Sequence, residues 1–147
     1  MSIRKIIRPQ SVAVVGASEK KGFGYWAAHQ LLQCGDKVRV YLVHHKREEV
    51  LGVKCFKTLA DLPEVVDCVV LATPRSVTND LLRQAGELGV GAAMVYASGY
   101  SEEHTEEGIR LENEMVEIAK QYNISLLGPN CMGILNNVDK INILGME

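Results

Sequence analysis

Several features that would mark a secreted, membrane or nucleic-acid-binding chain are missing here. No apolar run approaches the roughly 20 residues that a bilayer-spanning helix needs. The opening residues, MSIRKIIRPQ, lack the apolar stretch of a secretion signal. The four cysteines, Cys34, Cys55, Cys68 and Cys131, form no CxxC pair and none has a His at zinc-finger spacing, which excludes the usual zinc frameworks. The expected setting is therefore cytoplasmic, with reduced thiols. Charge of one sign is lacking too. A formal net charge of -2 provides no general basic face to displace counterions, so a nucleic-acid partner is not expected. Any anionic ligand must be held by a few placed donors.

With 147 residues and 47% hydrophobic content, the chain is long and apolar enough for one folded domain with its own core. Short, almost wholly apolar runs recur: Ser11–Gly16, Val38–Val43, Asp67–Ala72, Ala92–Ala97 and Ile124–Leu127. Strands without polar alternation are covered on both faces, which indicates a parallel sheet between helices. Helical periodicity fills the intervals. Tyr25–Cys34 carries Trp26, Ala27, Leu31 and Leu32, and Ser76–Leu88 carries Val77, Leu81, Leu82, Ala85 and Leu88, with Ser76 placed as its cap. Glu103–Tyr122 carries Leu111, Met115, Ile118 and Ala119, with Glu102, Glu103, Glu106 and Glu107 near its start and Lys120 near its end, as the helix dipole favours. Gly35, Gly89 and Gly91 suit left-handed helix ends. Residues 52–61 suit a short strand and a turn of helix, and Lys140–Leu144 a last strand. The fold expected is α/β: a Rossmann-like, doubly wound, mainly parallel sheet with helices on both faces.

The sharpest local signal is VAVVGASEKKGFGYW, Val12–Trp26. A strand enters a loop with glycines at 16, 22 and 24, and the loop enters a helix whose free N–H groups and dipole would face it. That arrangement suits a diphosphate. The spacing, G-x5-G-x-G, is longer than the G-x-G-x-x-G of dinucleotide sites. Lys20 and Lys21 within the loop either meet phosphates or are solvated. The second strand ends VYLVHHKRE, where an NAD site would carry a carboxylate for the ribose. Here His44, His45, Lys46 and Arg47 stand instead, which favours a ligand with a phosphate on its ribose: coenzyme A or NADP.

Taken together, VAVVGAS, the long glycine loop, HHK after the second strand, LATP at Leu71–Pro74, ASGYSE at Ala97–Glu102 and LLGPNCMGILN at Leu126–Asn136 resemble one family. It is the CoA-binding domain of the succinyl-CoA synthetase α subunit and of ADP-forming acetyl-CoA synthetases. The resemblance runs from about Ile6 to Asn136, and GPNCMG is its most specific piece.

It implies a ligand, coenzyme A or an acyl-CoA, and a set of contacts. Gly16, Ala17, Ser18, Lys21, Gly22, Gly24 and Tyr25 would wrap the phosphates. Val43, His44 and Lys46 would meet the adenosine, with Lys46 at its ribose phosphate. The family's usual V-N-P-K reads Val43-His44-His45-Lys46 here, which leaves the shape of the nucleoside pocket open. Ala72, Thr73 and Pro74 would lie beside the nucleotide, and Ser98, Gly99 and Tyr100 near the pantetheine arm. Asn130, Cys131, Met132 and Gly133 would form a loop and helix start whose amides face a phosphorylated histidine of a following domain. None of His29, His44, His45 and His104 lies in a glycine-rich loop resembling that histidine's site, so the resemblance implies binding without a complete enzyme, no catalytic residue in this chain, and further domains or a partner subunit.

The expected role is thus the CoA-binding module, residues 1–147, of a nucleoside-diphosphate-forming acyl-CoA synthetase. A chain that stops abruptly at the tail NNVDKINILGME suits a module of a longer polypeptide or a stand-alone homologue. Two alternatives remain at this level: a stand-alone regulatory protein that binds CoA or a nucleotide, and an NADP-dependent oxidoreductase. The second is weakened because no Tyr is followed four residues later by the Lys that short-chain enzymes use. The adjacent His44 and His45 would point in different directions from a strand end and so would not share a metal. Trp26 is expected to pack on the sheet, and Cys131 to be a structural member of its loop.

Overall fold

A computed structural model of the chain describes residues 3–147. A short helix, α1 (Arg4–Ile7), precedes β1 (Ser11–Val15), α2 (Phe23–Leu32), β2 (Arg39–Val43), β3 (Glu49–Val50), β4 (Val53–Phe56) and β5 (Cys68–Leu71). Then follow α3 (Arg75–Glu87), β6 (Ala92–Val95), α4 (Glu106–Gln121), β7 (Ser125–Leu127), β8 (Gly133–Asn136) and β9 (Ile141–Leu144). Strands β3-β4-β2-β1-β5-β6-β7 form one sheet, parallel except for the antiparallel edge strand β3. The chain starts in the middle at β1, builds outward through β2 and β4, then returns to the other side of β1 with β5. This is the doubly wound, Rossmann-like order, with its switch point between β1 and β5.

The apolar runs have the cause inferred from sequence. Every residue of β1, β5 and β6 is buried. One face of the sheet packs Val12, Val14, Cys68, Val70 and Met94 against Ala27, Ala28 and Leu31 of α2, with Ile141 and Ile143 of β9 alongside. The other packs Ala13, Val15, Val69, Leu71 and Val95 against Leu82 and Ala85 of α3 and Met115 and Ile118 of α4.

Element ends differ from expectation in four places. Helix α3 starts at Arg75, with Pro74 at the capping position and Ser76 inside the first turn. The ring of Pro74 fixes φ at -58, and the Thr78 hydroxyl donates back to its carbonyl over 2.9 Å, so no Ser cap is used. Helix α4 starts at Glu106. Ser101–Glu103 form a separate 3-10 turn, His104 turns left-handed, and the Thr105 side chain accepts the Gly108 N–H. Gly35 and Gly89 are left-handed, as expected, but Gly91 is not; a Cβ there would meet the Lys5 side chain. Finally, the segment after Pro129 opens no helix. It becomes β8, paired antiparallel with β9, because Ile141 and Ile143 alternate inward over α2. Residues 52–61 do contain a strand and a single 3-10 turn, Leu59–Asp61.

Candidate functional site: a two-lobed crevice at the switch point

Strands β1, β2 and β5 end in register. Val15 pairs with Val43 on one side and with Leu71 on the other, so Gly16, His44 and Ala72 leave the sheet at one level. The first turn presses on the third. A Cβ on Gly16, whose φ is +88, would strike the Ala72 carbonyl oxygen, and one on Gly24 would strike the carbonyl oxygen of Gly16 itself. Gly24 therefore serves close backbone approach, while Gly22, at φ 162, is simply extended. The N–H groups of Phe23, Gly24 and Tyr25 precede the first helical hydrogen bond, from Trp26 N–H to the Gly22 carbonyl, at the end of α2 that borders this junction.

A crevice lies across the junction in two lobes that share Gly16, Ser18, Ala72, Thr73 and Pro74. The first lobe, about 470 Å³, runs over the start of α2 toward Tyr96, Ala97 and Ser98. Lys20, Lys21 and Arg75 line it, and no carboxylate does. The second lobe, about 700 Å³, lies between the ends of β2 and β4 and the first turns of α3. Val15, Val43, Leu59, Val77 and Leu81 make its walls apolar, and His44, His45, Lys57, Thr58, Asp80 and Gln84 supply its polar groups. Apolar walls with a few convergent polar groups are the usual make-up of a small-molecule cleft.

Of the residues expected in the site, the crevice brings together Gly16, Ser18, Lys21, Gly22, Gly24, Val43, His44, Ala72, Thr73, Pro74 and Ser98. Seven others do not line it. Ala17 is fully buried beneath the loop. Tyr25 stacks on His29, and with the half-buried Trp26 these rings form an outer cluster on α2, with the Lys21 ammonium 5.6 Å from the Trp26 ring. Trp26 is thus outside the core cluster on its side of the sheet, contrary to expectation. Tyr100 is fully buried; its hydroxyl donates to the Asn79 side chain, so its ring is unavailable to a pantetheine arm. Gly99 gives its N–H to Glu102 and its carbonyl to Arg75, which clamps the loop after β6 to the start of α3. Asn130 and Cys131 donate their amides to the carbonyls of Ala97 and Val95, so these N–H groups are already used. With no helix starting there, no dipole activates Cys131, and burial pushes its thiol pKa up.

Lys46 is the seventh. It is exposed and lines neither lobe. The cause lies in His44, whose Nδ1 accepts the backbone N–H groups of both Lys46 and Arg47 at 3.1 Å. A side chain accepting from amides two and three residues on is what an Asn does in an Asx turn, and His44 closes a turn of that kind here. The two histidine rings also stack, 5.1 Å apart and 9° from parallel, rather than diverging. Burial, and then the charges of His45, Arg47, Lys46 and Lys57, lower the His44 pKa and keep its Nδ1 an acceptor. Among the described residues no cluster of three or more metal-ligating side chains occurs, and no helix is long and apolar enough to cross a membrane.

Sequence reasoning missed Lys57, Thr58, Arg75, Asp80 and Tyr96 as crevice residues. Lys57 had a faint signal in the strand-like residues 52–61, but only the pairing of β4 with β2 brings it beside His44.

The pattern of the CoA binding domain family matches residues 10–137. The chain belongs to this family. A trans-feruloyl-CoA synthase from an unknown prokaryotic organism is 40% identical over 146 residues, 99% of this chain and 20% of that protein. An ADP-forming acetate–CoA ligase of Methanocaldococcus jannaschii is 37% identical over 141 residues, 95% of this chain and 19% of that protein. The solved dinucleotide forming acetyl-coenzyme A synthetase 1 of Ca. Korarchaeum cryptofilum, in complex with phosphate and ADP, superposes with a TM-score of 0.87 at 30% identity. That match covers 97% of this chain and 30% of the other. The CoA-binding domain thus spans about a fifth of the length of these curated relatives.

Proposed function

We propose that this CoA-binding domain holds coenzyme A, or an acyl-CoA, across the two-lobed crevice. It would act as the CoA-binding module of a nucleoside-diphosphate-forming acyl-CoA synthetase. In the complete enzyme, acyl-CoA, phosphate and a nucleoside diphosphate would give the acid, CoA and the nucleoside triphosphate. Domains or a subunit beyond this chain would supply the catalytic groups, and the expected setting is the cytoplasm.

The observation that carries this reading is the junction of Gly16, the start of α2 and the Ala72–Pro74 turn. Unpaired amides and a helix dipole favour a diphosphate there, with Lys20 and Lys21 adding positive charge. From that anchor the adenosine enters the apolar second lobe, between Val43 and the Pro74–Leu81 stretch. The pantetheine arm then leaves through the first lobe past Ser98.

Titration calorimetry of the chain with CoA and with NADP tests the reading. Binding of CoA in the micromolar range, with NADP much weaker, is expected. No heat with CoA at millimolar concentration, or tighter binding of NADP, would overturn it.

A further inference from the structure

We propose that Lys57, at the end of β4, and not Lys46, is the cation that meets the ribose phosphate of bound coenzyme A. This rests on the crevice binding CoA. It concerns which side chain recognises the group that distinguishes CoA from its dephosphorylated form.

The sheet places Lys57 for the task. Val43 pairs with Phe56 in parallel register, and the His44 N–H donates to the Phe56 carbonyl over 2.9 Å, so residue 57 leaves β4 beside the turn that leaves β2. Its Nζ lies 3.4 Å from the Arg47 carbonyl oxygen, which engages one of the three ammonium donors and leaves two for a ligand. Of the residues lining the second lobe, Lys57 is the lysine or arginine present, and His44 and His45 flank it. The one lining carboxylate, Asp80, comes from α3 on the opposite wall. A dianionic phosphate entering between Val43 and the histidines therefore meets positive charge on the β4 side.

Lys46 is held apart from this position by the same turn. Because His44 Nδ1 gathers the amides of residues 46 and 47, the backbone curls after His45 and the Lys46 side chain stands in solvent outside the lobe. Lys57 is exposed as well, and so is screened to a similar degree, but it lines the lobe and its ammonium is tethered to the Arg47 carbonyl oxygen, whereas Lys46 lines neither lobe.

Titrations with CoA and with 3′-dephospho-CoA on the native chain, Lys57→Ala and Lys46→Ala test this. The native chain is expected to prefer CoA by about tenfold or more, the usual worth of a charge-assisted hydrogen bond. Lys57→Ala should bind both ligands with the native affinity for dephospho-CoA, a result that also shows the variant is folded. Lys46→Ala should keep the preference. Loss of the preference in Lys46→Ala, or its survival in Lys57→Ala, overturns the assignment, as does equal loss in both. Equal affinity of the native chain for the two ligands also sinks it while leaving CoA binding intact. Binding of neither ligand defeats the CoA reading itself, and this assignment with it.

Discussion

The α-carbon of Gly24 sits so close to the carbonyl oxygen of Gly16 that no side chain fits between the first turn of α2 and the end of β1. The obstacle is backbone on both sides, so it cannot swing away as a side chain would. Gly24→Ala should therefore cost about 1–3 kcal/mol of stability, the usual range for overpacking, and weaken CoA binding by pushing the helix start off the diphosphate position. Gly22 is the control: it is extended, and the nearest atom to an added Cβ is the Lys20 carbonyl oxygen at 3.9 Å. Gly22→Ala should unfold in urea at the native midpoint, whereas a native midpoint for Gly24→Ala would show that the close approach carries no weight.

Tyr100 separates packing from ligand contact. Its ring is buried between α3 and α4, and its hydroxyl bonds Asn79 over 3.3 Å. Removing that hydroxyl leaves Asn79 Oδ1 short of a partner. Tyr100→Phe should lose about 1 kcal/mol of stability with CoA affinity unchanged. A clear fall in affinity, seen by calorimetry at equal folded fraction, would put the phenol in contact with the ligand after all.

His44 ties stability to pH. Its folded-state pKa lies below the ordinary 6.5 because burial, and then nearby positive charge, oppose its protonation. Between 6.5 and that lowered value the unfolded chain binds more protons than the native one, so this contribution to stability is full above 6.5 and is lost as pH falls through the folded value. Protonation would also aim an N–H at the amides of Lys46 and Arg47. His44→Asn keeps an acceptor without a titrating ring and should lose less stability over this interval. Identical pH profiles of the urea midpoint for the two proteins would remove His44 from the account.

The strands were legible because burial on both faces leaves no polar alternation, as in Val12–Val15 and Cys68–Leu71. The glycine loop was legible because strand, glycines and helix follow one another in the chain. Residues whose role depends on register were not. Lys57 becomes a crevice residue only through the pairing of β4 with β2, and nothing local separates it from a solvated lysine. Lys46 is the converse: the VxxK pattern is sequential, but the histidine at the second position of that pattern binds the backbone, and the lysine lines neither lobe. The glutamates after Tyr100 suggested one long helix. They are in fact split between a 3-10 turn and the capped start of α4, since Glu102 is engaged by the amides of Gly99 and Tyr100. The GILN strand is only partly buried and shows no clear alternation, so β8 was invisible until β9 was seen beside it.

That last pair of strands bears on where the domain ends. The family match stops at residue 137, yet Ile141 and Ile143 lie against α2 and the Tyr96 hydroxyl donates to the Ile143 carbonyl over 3.1 Å. A fragment trimmed to the conventional boundary would strip the outer cover from Ala28 and Leu31 and orphan a buried phenol. The packed core therefore reaches past the family match, and a module excised or grafted with this packing intact must carry its chain through Gly145, whose own N–H closes the ribbon on Met132.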